Sequence, residues 1–355
     1  MAGTASNSLG GSKLTFAGVR VLVPALKAES LLTQILLRKG CSDATSAAVA
    51  AHLVDTELSG VESHGIMRVL QYAEQYDSGY MRADTEARAV RHASGLLEVD
   101  GGGGIGIPAM QLAVATCCTA AKEKGIEVLP LRNVGHTGRL GAFAECGAET
   151  GCLVMIVGGG GRQNWRQVAP YGGRRAILPT NPFCFAIPGG DNGPVVVDFA
   201  TSVIAGGWLY AARSAGGQVP EGALIDRDGS PSRDPNSYFD GGAILPKGGA
   251  MGYGLAVMGE MICEAMLGPV STEVNWLILA IDTQRYRERH IMQEVAEEIL
   301  AELRACPPAD GFARVEVPGE RERDRKRSNP ERMISSPENT WAAIVKLSCD
   351  LGITF

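Results

Sequence analysis

The sequence predicts an α/β protein, with a helical N-terminal part, a central glycine-rich αβ domain and a return to helix near the C-terminal end. Three observations carry this. Apolar residues recur at helical spacing through the first 90 residues. From about residue 95, short apolar runs alternate with helical segments. Glycine makes up 46 of the 355 residues, about twice the norm of roughly 7%, and gathers at strand ends and turns.

In order, Leu31, Leu32, Ile35 and Leu36 mark a first helix that Gly40 stops. Ser42 is placed to cap a second, with Ala47, Ala50, Ala51 and Val54 on one face. A third runs from about Gly65 to Tyr76, with Ile66, Val69, Leu70 and Ala73 inward. Leu96–Asp100 reads as a strand, followed by the cluster Gly101–Gly106 and a helix from Pro108 to Lys124. Next come a strand (Ile126–Arg132), a helix (Gly141–Thr150) and a strand (Cys152–Val157). Pro182–Ile187 and Val195–Asp198 read as short strands and Gly252–Leu267 as a helix. The tail predicts a strand (Trp276–Asp282), a helix (Ile291–Ala305), a strand (Ala313–Val317) and a helix near Asn339–Asp350. Gly319–Arg332 reads as a charged loop. The pattern divides the chain into a helical part over 1–90, a glycine-rich αβ part over 91–270 and a tail over 271–355.

Composition narrows the class. A net charge of −6 gives no general attraction to nucleic acid or to anionic membrane. No apolar run reaches the roughly 18 residues of a membrane span. The N-terminal stretch Met1–Lys13 reads as a frayed tail, and Arg20 and Pro24 break the apolar patch Val19–Leu26, making it a poor secretory segment. The nine cysteines include no C-x-x-C pair. Cys117, Cys118, Cys152 and Cys184 sit in apolar stretches, as buried free thiols of a reducing compartment do, and the cytoplasm is the expected location.

Gly101–Gly106 fits G-x-G-x-x-G between a strand and a helix, the context of a dinucleotide fingerprint. A glycine run matches that pattern trivially, however, and the acid expected after the next strand is replaced by Arg132-Asn133. Arg132 remains open as a partner for a 2′-phosphate; a tight turn needs no cofactor.

Two constellations point to chemistry. Ser63-His64-Gly65 leads into Arg68, four residues on, which places His64 and Arg68 on one helix face. The histidine can exchange the hydroxyl proton that accompanies hydride transfer, and the guanidinium can hold a carboxylate bidentately. His136 stands between Gly135 and Thr137-Gly138, just past a strand end, where open αβ sheets place ligands. Gly158–Gly161 is a candidate anion-binding nest. Thr180-Asn181-Pro182 and Asp198-Phe199-Ala200-Thr201-Ser202 combine small polar residues with strand ends, suited to cofactor phosphates or ribose. H-E-x-x-H and G-x-S-x-G are absent, and no metal site is expected.

Ser63-His64-Gly65 with Arg68, Gly135-His136, Ala169–Gly173, Thr180-Asn181-Pro182, Asp198–Ser202, Asp234-Pro235, Gly252-Tyr253-Gly254-Leu255 and Pro318-Gly319-Glu320 occur in one order. Together, over roughly residues 30 to 350, the chain resembles the malate/L-lactate dehydrogenase family, which also holds sulfolactate and ureidoglycolate dehydrogenases and cyclic-imine reductases. The resemblance implies a non-Rossmann, mixed-sheet fold that binds NAD or NADP, a homodimer, and a small 2-oxo or 2-hydroxy acid as substrate. It gives His136 or His64 the proton and Arg68 the substrate carboxylate. It places Asp198, Phe199, Ala200, Gly319, Glu320 and Arg321 against the cofactor, to which the turn residues Thr180 and Asn181 are added. It makes 91–270 the NAD(P)-binding domain and 1–90, completed by 271–355, the helical domain.

Two departures stand out. The family usually has lysine before Gly-Tyr-Gly-Leu, where this chain has Met251; Lys247 lies four residues upstream. Losing that ammonium removes a charge-assisted bond of about 1.5–3 kcal/mol, roughly ten- to a hundredfold in affinity. Gly158–Arg166 is longer than the usual turn and carries Arg162, Trp165 and Arg166. The alternatives are therefore a cyclic-imine carboxylate reductase and a cofactor-binding protein that has lost turnover.

Overall fold

The computed structural model describes residues 19–214 and 216–353; the expected frayed tail over Met1–Lys13 lies outside them. The chain opens with β1 (Arg20–Pro24), α1 (Ala25–Arg38) and α2 (Asp43–Leu58). Leu31, Leu32, Ile35 and Leu36 of α1 are wholly buried, and Gly40 ends the turn at φ 92°. The Ser42 hydroxyl caps α2 by accepting from the Thr45 N–H at 3.2 Å. The inward face of α2 differs from the expected one. Val49, Ala50, Leu53 and Val54 are buried, whereas Ala47 and Ala51 are exposed, because α2 buries its larger apolar side chains.

Residues Glu62–His64 form a single 3-10 turn, Gly65 is extended, and α3 covers Arg68–Asp77. His64 and Arg68 therefore do not share a helix as the four-residue spacing suggested.

The αβ part runs β2 (Arg88–Arg91), β3 (Leu97–Gly104), α4 (Gly106–Lys124), β4 (Ile126–Val134), α5 (Leu140–Glu149), β5 (Cys152–Gly159), β6 (Pro182–Ile187) and β7 (Val195–Ala200). A side lobe follows: α6 (Gly206–Ser214), β8 (Leu224–Ile225), β9 (Pro231–Ser232), α7 (Asn236–Phe239), β10 (Ala243–Ile244) and α8 (Ala250–Glu260). The chain closes with β11 (Asn275–Asp282), α9 (Arg289–Ala305), α10 (Glu320–Arg327), β12 (Met333–Pro337) and α11 (Glu338–Asp350).

Seven strands form one sheet in the order β2-β3-β4-β11-β5-β6-β7. Only β3 and β4, joined across α4, are parallel; the other five pairings are antiparallel. A doubly wound dinucleotide fold needs parallel strands throughout its binding half, so the sheet is mixed and not Rossmann, as the resemblance implied. β11 comes from the segment expected to complete the helical part, yet it lies at the middle of the sheet, paired with β4 and β5. One core joins α1–α5 to this sheet, and a second, around Val168, Leu209, Leu224 and Ile244, fills the side lobe.

The glycine cluster is not the expected turn. Gly101–Gly104 continue β3 through a register shift against β4, with Gly102 and Gly103 at φ 62° and 79°. A Cβ on Gly101 would fall 2.0 Å from Val134 Cγ1, so close strand packing explains it. Arg132 is committed as well, bonding Glu98 and donating to the Leu267 carbonyl at 2.8 Å.

Other differences lie near the chain ends. β1, within the apolar patch, pairs with β12. Ala313–Val317 is coil. The charged loop contains α10, held by Arg304–Glu320 at 2.7 Å, Arg323–Glu145 at 2.8 Å and Lys326–Asp55 at 3.0 Å. The α8 path continues past Glu260 as a π-helical turn over Met261–Met266.

Candidate active site

The C-terminal end of β4 delivers Gly135-His136, and the 3-10 turn before α3 delivers His64. The two imidazoles stack with centroids 5.4 Å apart and planes 25° from parallel, on the wall of a cavity of about 420 Å³. His64 Nδ1 lies 2.9 Å from the Ser63 hydroxyl. His136 Nδ1 lies 2.7 Å from the Tyr72 hydroxyl and accepts from the Gly138 N–H at 3.1 Å. Burial, with the Arg68 guanidinium adding to it, lowers His64 to about 3 and holds His136 well below the ordinary histidine value. Both rings are neutral at physiological pH.

Arg68 does not itself line the cavity. Its Nε donates to the Ser63 carbonyl at 2.6 Å and its Nη1 to Gln71 Oε1 at 2.5 Å. A guanidinium has five donors, and these two bonds use two of them.

Asp198, Phe199, Ala200 and Thr180 line the same cavity from the β6–β7 edge, and Arg321 from α10. Asp198 Oδ2 accepts from the Gly141 N–H at 2.7 Å, which sets a carboxylate at the positive end of α5. Phe199 stacks on Phe183 at 6.1 Å. A second cavity of about 400 Å³ adjoins, sharing Val61, Arg139, Asp198, Arg321 and Glu322 and reaching Gly319.

Two expected cofactor residues are turned into the fold. Asn181 is wholly buried, and its Nδ2 donates to Glu260 Oε1 at 2.6 Å. Glu320 is 7% exposed and accepts from Arg304 Nε at 2.8 Å and from the Val317 N–H at 3.2 Å. The Gly158–Gly161 turn holds no free anion nest either, because the Gly160 N–H is bonded to Glu260 Oε1 at 2.8 Å.

Sequence reasoning missed two groups. Tyr72, taken only as part of a helix, reaches His136. Glu273, just ahead of β11, lines the cavity, and its Oε2 is sealed from solvent without a hydrogen-bond partner. Burial lifts its carboxyl to about 7, against the pull of Arg68. Neither shows a motif, since both reach the site only through tertiary packing. Lys247 sits on the cavity wall, whereas Met251 does not and is 69% exposed.

The geometry suits a dinucleotide and a small acid side by side. Joined cavities of this size fall within the range of cofactor sites. Arg139, Arg321, Arg325 and Lys247 stand on the walls, with Arg139 paired to Asp55 at 3.1 Å and Arg321 to Glu316, and Phe199 lines the same cavity. Among the described residues there is no group of His, Cys, Asp and Glu able to hold a metal ion. The arrangement is that of an oxidoreductase working through a nicotinamide cofactor.

Comparison with known proteins agrees. The profile of the family described as malate/L-lactate dehydrogenase matches residues 23–345, and the chain belongs to that family. It is 35% identical, over 72% of its length and 74% of the relative's, to the Δ1-pyrroline-2-carboxylate/Δ1-piperideine-2-carboxylate reductase of Pseudomonas putida. It is 29% identical to hydroxycarboxylate dehydrogenase B of Escherichia coli, over 91% and 92% of the two chains. Among solved structures, malate dehydrogenase from Pyrococcus horikoshii superposes with a TM-score of 0.84 at 25% identity, covering 94% and 97%.

Proposed function

We propose that this cavity transfers a hydride between NAD or NADP and a small 2-hydroxy or 2-oxo acid. The observation that carries the reading is the stacked, neutral pair His64 and His136 on the cavity wall, with the Arg68 charge beside them. When bound, the nicotinamide supplies the hydride. The protein positions the acid and handles the proton. Arg68 offers its remaining donors to the substrate carboxylate. His136 presents its ring to the carbonyl oxygen, with His64 stacked against it. Asp198, Phe199, Ala200, Thr180 and Arg321, with Gly319 in the adjoining cavity, hold the cofactor; Asn181 and Glu320 support the loops that carry these residues.

A second reading, reduction of a cyclic-imine carboxylate, is supported by the likeness to the Pseudomonas putida reductase. A third, a binding protein without turnover, rests on Met251 and has less support, because Lys247 lines the cavity four residues upstream.

We further infer a homodimer, supported by the apolar face of α8 and the turn after it, where Met251, Met258 and Met261 are 69%, 53% and 56% exposed. The nine cysteines are all free, in keeping with a reducing cytoplasm. No helix among the described residues is long and apolar enough to cross a membrane.

The test is fluorescence titration of the purified protein with NADH and NADPH. Turnover is then assayed with pyruvate, oxaloacetate and Δ1-piperideine-2-carboxylate. Micromolar binding of either cofactor and its oxidation by a 2-oxo acid are expected. Binding of neither overturns the proposal, and turnover of the imine alone replaces it with the second reading.

A further inference from the structure

Nδ1 of His136 has two neighbours that fix its protonation. The Gly138 N–H points at it from 3.1 Å, and a backbone N–H only donates. Two hydrogens cannot share that contact, so Nδ1 carries a lone pair and the proton of the neutral ring sits on Nε2. The Tyr72 hydroxyl, 2.7 Å away, must then donate to Nδ1 as well. Nε2 is the remaining polar atom of a ring that lines the cavity.

Tyr72 is held firmly for this task. Its ring is wholly buried in α3 and tilts 45° against the imidazole, with centroids 5.7 Å apart. Burial keeps the phenol protonated; the Arg68 charge favours the phenolate and the Glu273 carboxyl, when ionised, opposes it. The same guanidinium that draws a substrate carboxylate thus stands ready to stabilise an oxyanion behind the histidine.

We propose that Tyr72 is a positioning residue that sets the His136 tautomer and relays a second proton during reduction. As hydride reaches C2 of the 2-oxo acid, the C=O π pair moves onto oxygen and takes the Nε2 proton of His136. The Nε2–H bonding pair stays on the ring, and Nδ1 takes the Tyr72 hydroxyl proton. The phenolate left behind is paired electrostatically with Arg68 until the Nδ1 proton, disfavoured there by the Gly138 N–H, returns to it. Nε2, on the ring that lines the cavity, takes a proton from water, which restores the Nε2–H form. This rests on the proposed hydride transfer. It adds a residue that touches neither substrate nor cofactor.

Two measurements test it. The first needs no turnover: 15N NMR of the histidine rings in the cofactor-free protein, with the His136 signals assigned by their loss in His136→Asn. Nδ1 is expected to be unprotonated and strongly hydrogen-bonded, and Nε2 protonated; in Tyr72→Phe the Nδ1 resonance moves toward that of a free lone pair. A protonated Nδ1 in the wild type overturns the proposal whether or not the variant folds. The second is a proton inventory of kcat for 2-oxo acid reduction in H2O/D2O mixtures. The wild type should give a bowed plot from two moving protons. Tyr72→Phe should lose about 10- to 100-fold in kcat, keep KM within about threefold and give a straight plot. A straight plot in the wild type, or an unchanged kcat in the variant, sinks the relay while leaving hydride transfer standing. A wild type that reduces no 2-oxo acid removes both the relay and the reading it rests on.

Discussion

Lys247 and Met251 flank the entry to α8, four residues apart, and meet different surroundings: the lysine lies on the cavity wall and the methionine is 69% exposed. The Gly252 N–H bonds the Lys247 carbonyl at 3.0 Å and the Lys247 N–H bonds the Thr201 carbonyl at 2.8 Å, so the lysine backbone is fixed next to the Asp198–Ser202 segment. We propose that the charge missing at Met251 is supplied from one turn earlier. Met251→Lys should therefore change cofactor affinity by less than about threefold. Lys247→Met should weaken it roughly ten- to a hundredfold. Fluorescence titration with NADH and NADPH measures both, and the reverse ranking refutes the substitution.

Gly207 guards the free end of Arg68. A Cβ at that position would fall 2.9 Å from Arg68 Nη2, and Arg68 cannot swing away without breaking its bonds to Ser63 and Gln71. Gly207→Ala should raise KM for the acid substrate about three- to tenfold with little change in kcat, because it disturbs a contact made equally in ground and transition states. Steady-state kinetics decide; a loss confined to kcat would move Arg68 out of carboxylate binding.

Glu273 should impose a pH limit on substrate binding. Below about 7 its buried carboxyl is neutral, and above that value it ionises inside a cavity meant for an anionic substrate. Its neighbours are Arg68, whose charge opposes the rise, and the phenols Tyr72 and Tyr80, which stay neutral. KM for a 2-oxo acid should climb as pH passes about 7, and Glu273→Gln should flatten the profile. A wild-type KM constant between pH 6 and 9, in a buffer series of fixed ionic strength, would show that the carboxyl lies outside the reach of the substrate.

Glu57 acts on stability. Burial, with Glu62 adding to it, lifts its carboxyl from 4.5 to about 8, against the bond it accepts from the Ile66 N–H. Between those values the folded chain holds a proton that the unfolded chain has released, so stability falls as pH rises through that window. Glu57→Gln keeps an oxygen for Ile66 and removes the charge. It should stabilise the protein at pH 9 by on the order of 1–3 kcal/mol and have almost no effect at pH 4.5. Denaturant melts at the two values read the difference, and an equal shift at both pH values contradicts the titration.

The sequence made the helices legible wherever one face carried large apolar residues, as in α1, and the strands wherever an apolar run sat between glycines, as in β5. It did not show which strands meet. β11 reads the same whether it joins the sheet or a separate unit, since its apolar run records burial and not a partner. α10 reads as loop in the sequence because all its residues are charged, and the ion pairs that tie it down reach Asp55, Glu145 and Arg304, none of them a near neighbour in sequence. At the site, His64, His136 and Asp198 stood out by their glycine and turn context. Tyr72 and Glu273 did not, because a tyrosine inside a helix and a glutamate before a strand carry no local mark of what they will face. Asn181 and Glu320 stood out as motif positions, yet their side chains bond Glu260 and Arg304, contacts that no local pattern announces.

The insertion of β11 between β4 and β5 also governs how the molecule is made. β4 and β5 leave the ribosome well before residue 275, yet neither gains its central neighbour until that strand has been synthesised. For that interval two apolar strands hold open edges, the kind that invite wrong partners. β1 waits longer still, until β12 at residue 333 arrives to pair with it. The topology thus predicts that folding completes late in translation and that a nascent chain stalled before β11 is prone to wrong pairing.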